Sequence, residues 1–300
     1  DGAYTIFYMG INAGAFLGIL LCGYLGEKVG WHYGFGLAGI FMFFGMLQFY
    51  FAQGIFGSIG VKPTNKSNTS NSKEDTVKVS ADANHKKIER DRIFVIVIFS
   101  IATIFFWWAF EQAGGSMTIF ANDYTDRQLS GNSAVIFNTI NTVITIVPMV
   151  VITYVLIKLF QNIFQSYFIS NFFLGLSFVI IWGIVIYMLN AEIGQETSEI
   201  PASWFSVLNS LFIILLAPVF SKIWASKYNP SGPIKFGIGL ILLGVGYLFI
   251  AYGSLGIPAG AQTASVSVMW LVYAYLFHTL GELCLSLSLI HISEPTRLRS

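Results

Sequence analysis

Glu111 and Glu282 are carboxylates set inside apolar text. The first lies in IFVIVIFSIATIFFWWAFEQAGGSMTIF (93–120) and the second in VMWLVYAYLFHTLGELCLSL (268–287). A charge at hydrocarbon depth costs about 2.5–3.5 kcal/mol on insertion scales, so such groups normally face a partner, a cavity or a translocation path. A desolvated carboxylate in a cavity pairs strongly with a cation and discriminates against ligands that lack one. Trp107 precedes Glu111 by four residues, and His278 precedes Glu282 by four. On a continuous helix each pair shares a face. The bland alternative for Glu282 is internal pairing with His278, and for Trp107 plain packing or lipid contact. The sequence holds no HExxH, no phosphate loop, no paired cysteines and no serine nucleophile motif in a convincing context. An enzyme is poorly supported and no cofactor or metal is implied. Cys22 and Cys284 fall in apolar runs and are expected to be buried free thiols.

The elements that position these acids follow from composition. With 55% hydrophobic and 10% charged residues, against about 25% charged in ordinary soluble domains, the chain is expected to be an all-α polytopic membrane bundle. A helix needs about 20 mostly apolar residues to cross the hydrocarbon layer. Eight segments qualify: 6–25, 33–52, 93–120, 134–160, 172–189, 204–224, 236–252 and 266–286. Their continuous apolarity excludes barrel strands, which would alternate.

The stretch 57–92 is rich in Lys, Ser, Asn and Asp and is expected to be a cytoplasmic linker. It carries eight of the sixteen basic residues. Threading eight spans from that assignment puts Lys158, Lys222, Lys227 and Lys235 inside as well. Lys28 and Arg127 fall outside, twelve against two, as the positive-inside tendency requires. Asp123, Asp126, Glu192, Glu196 and Glu199 then lie outside too. The formal net charge of +1 gives no argument for nucleic acid, and the lipid bilayer is the first expected partner.

Four stretches, in order, carry a family likeness. YTIFYMGINAGAF (4–16) is similar to a signature of the proton-dependent oligopeptide transporter family. FEQAGGSMTIFANDYTDR (110–127) resembles that family's seventh helix, PASWFSVLNSLFIILLAPVFSKIW (201–224) its eighth, and FHTLGELCLS (277–286) its tenth. The resemblance implies a partial major-facilitator fold. Residues 1–56 would be the last two helices of the first half, 57–92 the connector, and 93–286 part of the second half. Between the family's seventh and eighth helices an extra apolar pair at about 134–189 departs from the pattern. The resemblance further implies proton-coupled symport of di- and tripeptides by alternating access. Glu282 would receive the peptide's terminal ammonium, Asn209 would stand beside it, and Trp107 would be a pocket wall. Glu111 would be a gating acid that responds to protons. Asn12 and Gly14 are expected to serve close helix packing, and the AGGS run after Glu111 to permit a bend. Alternatives are a same-fold carrier of nitrate or an amino-acid conjugate, a non-transporting scaffold and, remotely, an intramembrane enzyme. The chain begins with Asp1 and not Met, so it is expected to start in mid-protein, and LSLIHISEPTR (287–297) looks like a translated sequencing-library adapter. On that reading 287–300 is non-native.

Overall fold

The computed structural model describes residues 2–57, 83–193 and 195–293; of the linker, 58–82 lie outside the described residues, as do 294–300 of the tail. The helices are α1 (Gly2–Lys28), α2 (Trp31–Phe51), α3 (Ala83–Phe110), α4 (Ser116–Asp123), α5 (Asn132–Ile163), α6 (Phe168–Glu192), α7 (Trp204–Trp224), α8 (Gly232–Gly253) and α9 (Met269–Ser293). Two three-residue strands, β1 (Gln128–Ser130) and β2 (Thr197–Glu199), pair antiparallel. The fold is all-α. Seven described stretches are long and apolar enough to cross a membrane by length and composition, and Met269–Leu285 is a shorter apolar helix. Helices satisfy their own backbone polar groups, which is the condition for crossing hydrocarbon.

Large apolar side chains point outward along these stretches, among them Phe35 (73% exposed) and Met42 (76% exposed) of α2. Lipid, not water, is the solvent that such a surface suits. The chain reverses between α1 and α2 over two residues, with Gly30 at a φ of 152° that side-chain-bearing residues rarely adopt.

The connectors that charge counting assigns to one side do meet at one end of the bundle. Lys28 lies 3.5 Å from Glu199, β1 pairs with β2, and the Asp126 amide donates to the Val266 carbonyl at 2.8 Å. This is the expected outer end. At the opposite end, the Ser170 hydroxyl of α6 donates to the Gln48 carbonyl of α2 at 3.0 Å. There too the Lys235 ammonium sits 4.6 Å from the Trp224 ring centroid, a cation–π contact.

Small residues let the helices approach. A Cβ added to Gly281 of α9 would sit 2.7 Å from the Gly239 carbonyl oxygen of α8. One added to Gly34 of α2 would sit 2.6 Å from the Cys22 carbonyl oxygen of α1. Gly14 does not work this way, because a Cβ there would meet no described atom within 4 Å. The close approach of α1 is made nearer its other end, at Gly23 and Gly26. Asn12 bonds within its own helix, donating to the Tyr8 carbonyl at 2.9 Å. Cys22 is half-buried, Cys284 is buried, and both are free thiols.

The long stretch from Arg90 to Asp123 is not one uninterrupted α-helix. Regular α-geometry ends at Phe110, Glu111–Gly114 form a 3-10 turn, and α4 resumes at Ser116. Two consecutive glycines, Gly114 and Gly115, weaken helix propagation where the geometry changes. Phe110, the last residue of α3, keeps right-handed α backbone, so Trp107 and Glu111 share a helix face and the geometry changes only beyond the acid. The expected linker also ends in helix, since α3 begins at Ala83.

Candidate functional site

Three helices deliver polar groups to one place. On α9, Tyr275, Thr279 and Glu282 recur at helical spacing and share a face; on α7, Ser206 and Asn209 do the same. Tyr8 comes from α1. The Tyr8 hydroxyl donates to Glu282 Oε1 at 3.4 Å, and Asn209 Nδ2 donates to Oε2 at 3.2 Å. Asn209 Oδ1 in turn accepts from the Thr279 hydroxyl at 2.6 Å. The amide is oriented by this pair of partners: only with its NH2 toward the carboxylate and its oxygen toward the hydroxyl are both satisfied.

Beneath this layer, the Tyr275 hydroxyl lies 3.3 Å from the Ser206 hydroxyl and donates to the Ala113 carbonyl at 3.2 Å. Ala113 belongs to the turn that starts at Glu111. The polar chain therefore runs from α1 through α9 and α7 to the break in the Glu111 stretch. Thr279 and Tyr275 are buried, so the chain is a fixed support and not a solvated surface. Neither Tyr8 nor Asn209 carries charge, so these two donors orient the Glu282 carboxylate without neutralising it.

Glu111 is exposed at the start of its turn, and that turn is joined through Ala113 to Tyr275, which shares a face of α9 with Glu282. Trp107 is 38% exposed, with the Phe106 and Phe110 rings of its own helix 5.5 and 5.4 Å away. His278 is buried with its ring against Tyr247 and Phe110, at 4.6 and 6.5 Å. Tyr8 and Thr279 were not singled out by sequence reasoning. The signal for Thr279 was its place three residues before Glu282, matching the Ser206–Asn209 spacing on α7.

A second cluster closes the expected outer end. Glu27, the penultimate residue of α1, accepts the backbone N–H groups of Ala202 and Ser203 at 2.9 Å each. These are donors at the start of α7 that the helix itself leaves without acceptors. A carboxylate there also complements the positive end of the helix dipole. Beside it, Glu199 pairs with Lys28 at 3.5 Å and with Arg127 at 3.0 Å. Arg127 also donates to the Ile200 carbonyl at 2.7 Å and to Asn122 Oδ1 at 3.0 Å. Trp204 donates its indole N–H to the Leu20 carbonyl at 3.1 Å. A cavity of about 550 Å³ is lined by Glu27, Lys28, Asp123, Arg127 and Glu199.

The described bundle thus holds a hydrogen-bonded carboxylate between three helices, with a cluster of charges at one end. Comparison with known proteins supplies the class. The sequence profile of the POT family matches residues 1–74 and 177–296, well over half of the chain. The chain belongs to the POT family and is an integral, multi-pass membrane protein. Residues 75–176, which hold Trp107, Glu111 and α5, lie outside the matched stretches. The chain is 28% identical to "Peptide transporter YePEPT" of Yersinia enterocolitica, over 100% of this chain and 57% of that protein. It is 28% identical to "Di-/tripeptide transporter" of Lactococcus lactis subsp. cremoris, over 95% of this chain and 54% of that one. A crystal structure of "peptide transporter POT in complex with sulfate" superposes with a TM-score of 0.46 at 26% identity, covering 95% and 54%. The chain thus spans about half the length of the curated relatives it matches. Family membership, and not this superposition, brings the major-facilitator architecture with it.

Proposed function

We propose that the protein to which these helices belong is a proton-coupled symporter of di- and tripeptides in a bacterial cell membrane, working by alternating access. Family membership and the names of the relatives support peptides as the substrate class. The observation that carries the reading is the Glu282 carboxylate held by Tyr8 and Asn209 where α1, α7 and α9 meet. In this reading a peptide's terminal ammonium docks on that carboxylate and adds a bond between opposite charges to those the carboxylate accepts from neutral donors. Asn209, held by Thr279, keeps the carboxylate aimed.

Glu111, at the break between α3 and α4, is the gating acid of this reading. The state in which it is protonated is the one that takes peptide, so proton and peptide each favour the other by the same free energy. Rocking of the two halves exposes the site to one side and then the other.

Glu111→Gln tests the proton role. In proteoliposomes, gradient-driven accumulation of dialanine should fall toward equilibration while peptide counterflow keeps most of its rate. Equal loss of both activities would reduce Glu111 to a structural acid. A carrier of another solute in the same fold would show itself by failing to accumulate dialanine under any gradient.

A further inference from the structure

The α5–α6 pair lies within the second half of the chain by sequence but docks against α1 and α2. At one end of α6, Phe173 sits between Phe44 and Phe51 of α2, with ring centroids 6.0 and 6.2 Å away, the latter stacked at 13°. Next to it the Ser170 hydroxyl donates to the Gln48 carbonyl. Toward the other end, Val185 and Met188 of α6 join the apolar cluster built on Phe16, Leu20 and Tyr24 of α1, which also takes in Trp204 and Val207 from the first turn of α7. The pair is itself braced, since the Trp182 indole donates to the Thr153 hydroxyl at 3.0 Å and Asn138 Nδ2 donates to the Glu192 carbonyl at 3.1 Å.

Its attachment toward α7 is of a different kind. Three residues of β1 pair with three of β2, Gln128 with Glu199, Leu129 with Ser198 and Ser130 with Thr197, at the expected outer end. Phe137 of α5 also meets Trp204 at the start of α7, at 6.2 Å. The contact with α1 and α2 therefore runs from one end of the bundle to the other, whereas that with α7 is concentrated at the ladder end. A long packed interface moves as a body, while a short ladder with irregular chain on both sides can act as a hinge.

We infer that the α5–α6 pair moves with α1 and α2, and is tethered to α7 by the β1–β2 ladder. The inference rests on the two-half alternating-access reading. The ladder and the connector 195–203 then absorb the motion when the outer end opens, and the pair forms an added wall of the first half although it is inserted in the second.

Paired cysteines test this in the full-length protein with Cys22 and Cys284 replaced by alanine. Phe44→Cys with Phe173→Cys reports on α2 and α6; where those substitutions disturb folding, Gln48→Cys with Ser170→Cys serves. Trp31→Cys with Ile119→Cys, on α2 and α4 and both lining the cavity at the expected outer end, reports on the outer closure. Cross-linking by a short bifunctional thiol reagent is followed with and without dialanine and an inward proton gradient. The α2–α6 rate should stay the same in both conditions, the outer rate should change, and linking α2 to α6 should leave dialanine uptake intact. An α2–α6 rate that changes in step with the outer pair, or uptake lost on linking α2 to α6, overturns the inference. An outer rate that never changes, beside a constant α2–α6 rate, identifies failure of the alternating-access reading, and the inference falls with it.

Discussion

Glu282→Gln in the full-length protein abolishes uptake of dipeptides with a free amino terminus. The carboxylate sits at the junction of α1, α7 and α9, bonded by Tyr8 and Asn209. Removing one partner of a buried, hydrogen-bonded charge pair costs about 2–5 kcal/mol, roughly 30-fold to several thousand-fold in affinity. Glutamine can keep both neutral bonds, its oxygen accepting from Asn209 Nδ2 and its NH2 donating to the Tyr8 hydroxyl, so the substitution removes the charge and little else. Radiolabelled dialanine uptake into proteoliposomes reads the effect directly. Near-normal uptake by the variant would remove Glu282 from the amine site, whereas loss together with unchanged thermal stability would place the fault in binding.

The second large effect is at the outer closure. Glu27→Ala leaves the Ala202 and Ser203 amides without their acceptor. A fully buried donor left unsatisfied costs about 1–3 kcal/mol; these two are part-buried beside a cavity that Ala202 and Ser203 line, so the combined loss stays near the low end of that range and the closed arrangement of α1 against α7 loses ground to the open one. The neighbouring Lys28–Glu199 pair is partly solvent-exposed and cannot compensate, because exposed ion pairs contribute roughly 1 kcal/mol at most. With Ala202→Cys as reporter in a cysteine-free background, labelling by a membrane-impermeant maleimide should accelerate about tenfold, the equivalent of roughly 1.4 kcal/mol. Glu27→Gln, which keeps one acceptor oxygen, should fall between. Labelling that does not respond to either substitution would mean that the carboxylate contributes nothing to closure.

Much of the architecture was legible because spans announce themselves by length and apolarity, and the break after Glu111 by Gly114 and Gly115. Two members of the central site were legible as well: Glu282 by its misplaced charge, and Asn209 through the family likeness. Tyr8 and Thr279 were not, because a tyrosine or a threonine in a membrane helix carries no signal until its partner across the bundle is known. Glu27 was hidden for another reason. It follows an apolar run and precedes Lys28 and Gly30, so it looks like an ordinary connector acid, and only the fold reveals that the start of α7 rests on it. The α5–α6 pair was visible as apolar text, but helices that are apolar all round do not declare which face will pack or against what. Trp107 and Glu111 stand apart in this respect: their roles were carried over from a likeness in a stretch that the family profile does not match. Structure joins the turn that starts at Glu111 to Tyr275 of α9 and places the Trp107 ring beside those of Phe106 and Phe110.

The most direct measurement is competition for uptake in proteoliposomes that hold the full-length protein under an inward proton gradient. Radiolabelled dialanine is challenged with unlabelled dialanine or with its N-acetylated form. The account predicts gradient-dependent accumulation that dialanine displaces and the acetylated peptide does not, because acetylation removes the ammonium that Glu282 binds. Equal displacement by both, or accumulation indifferent to the gradient, would contradict it.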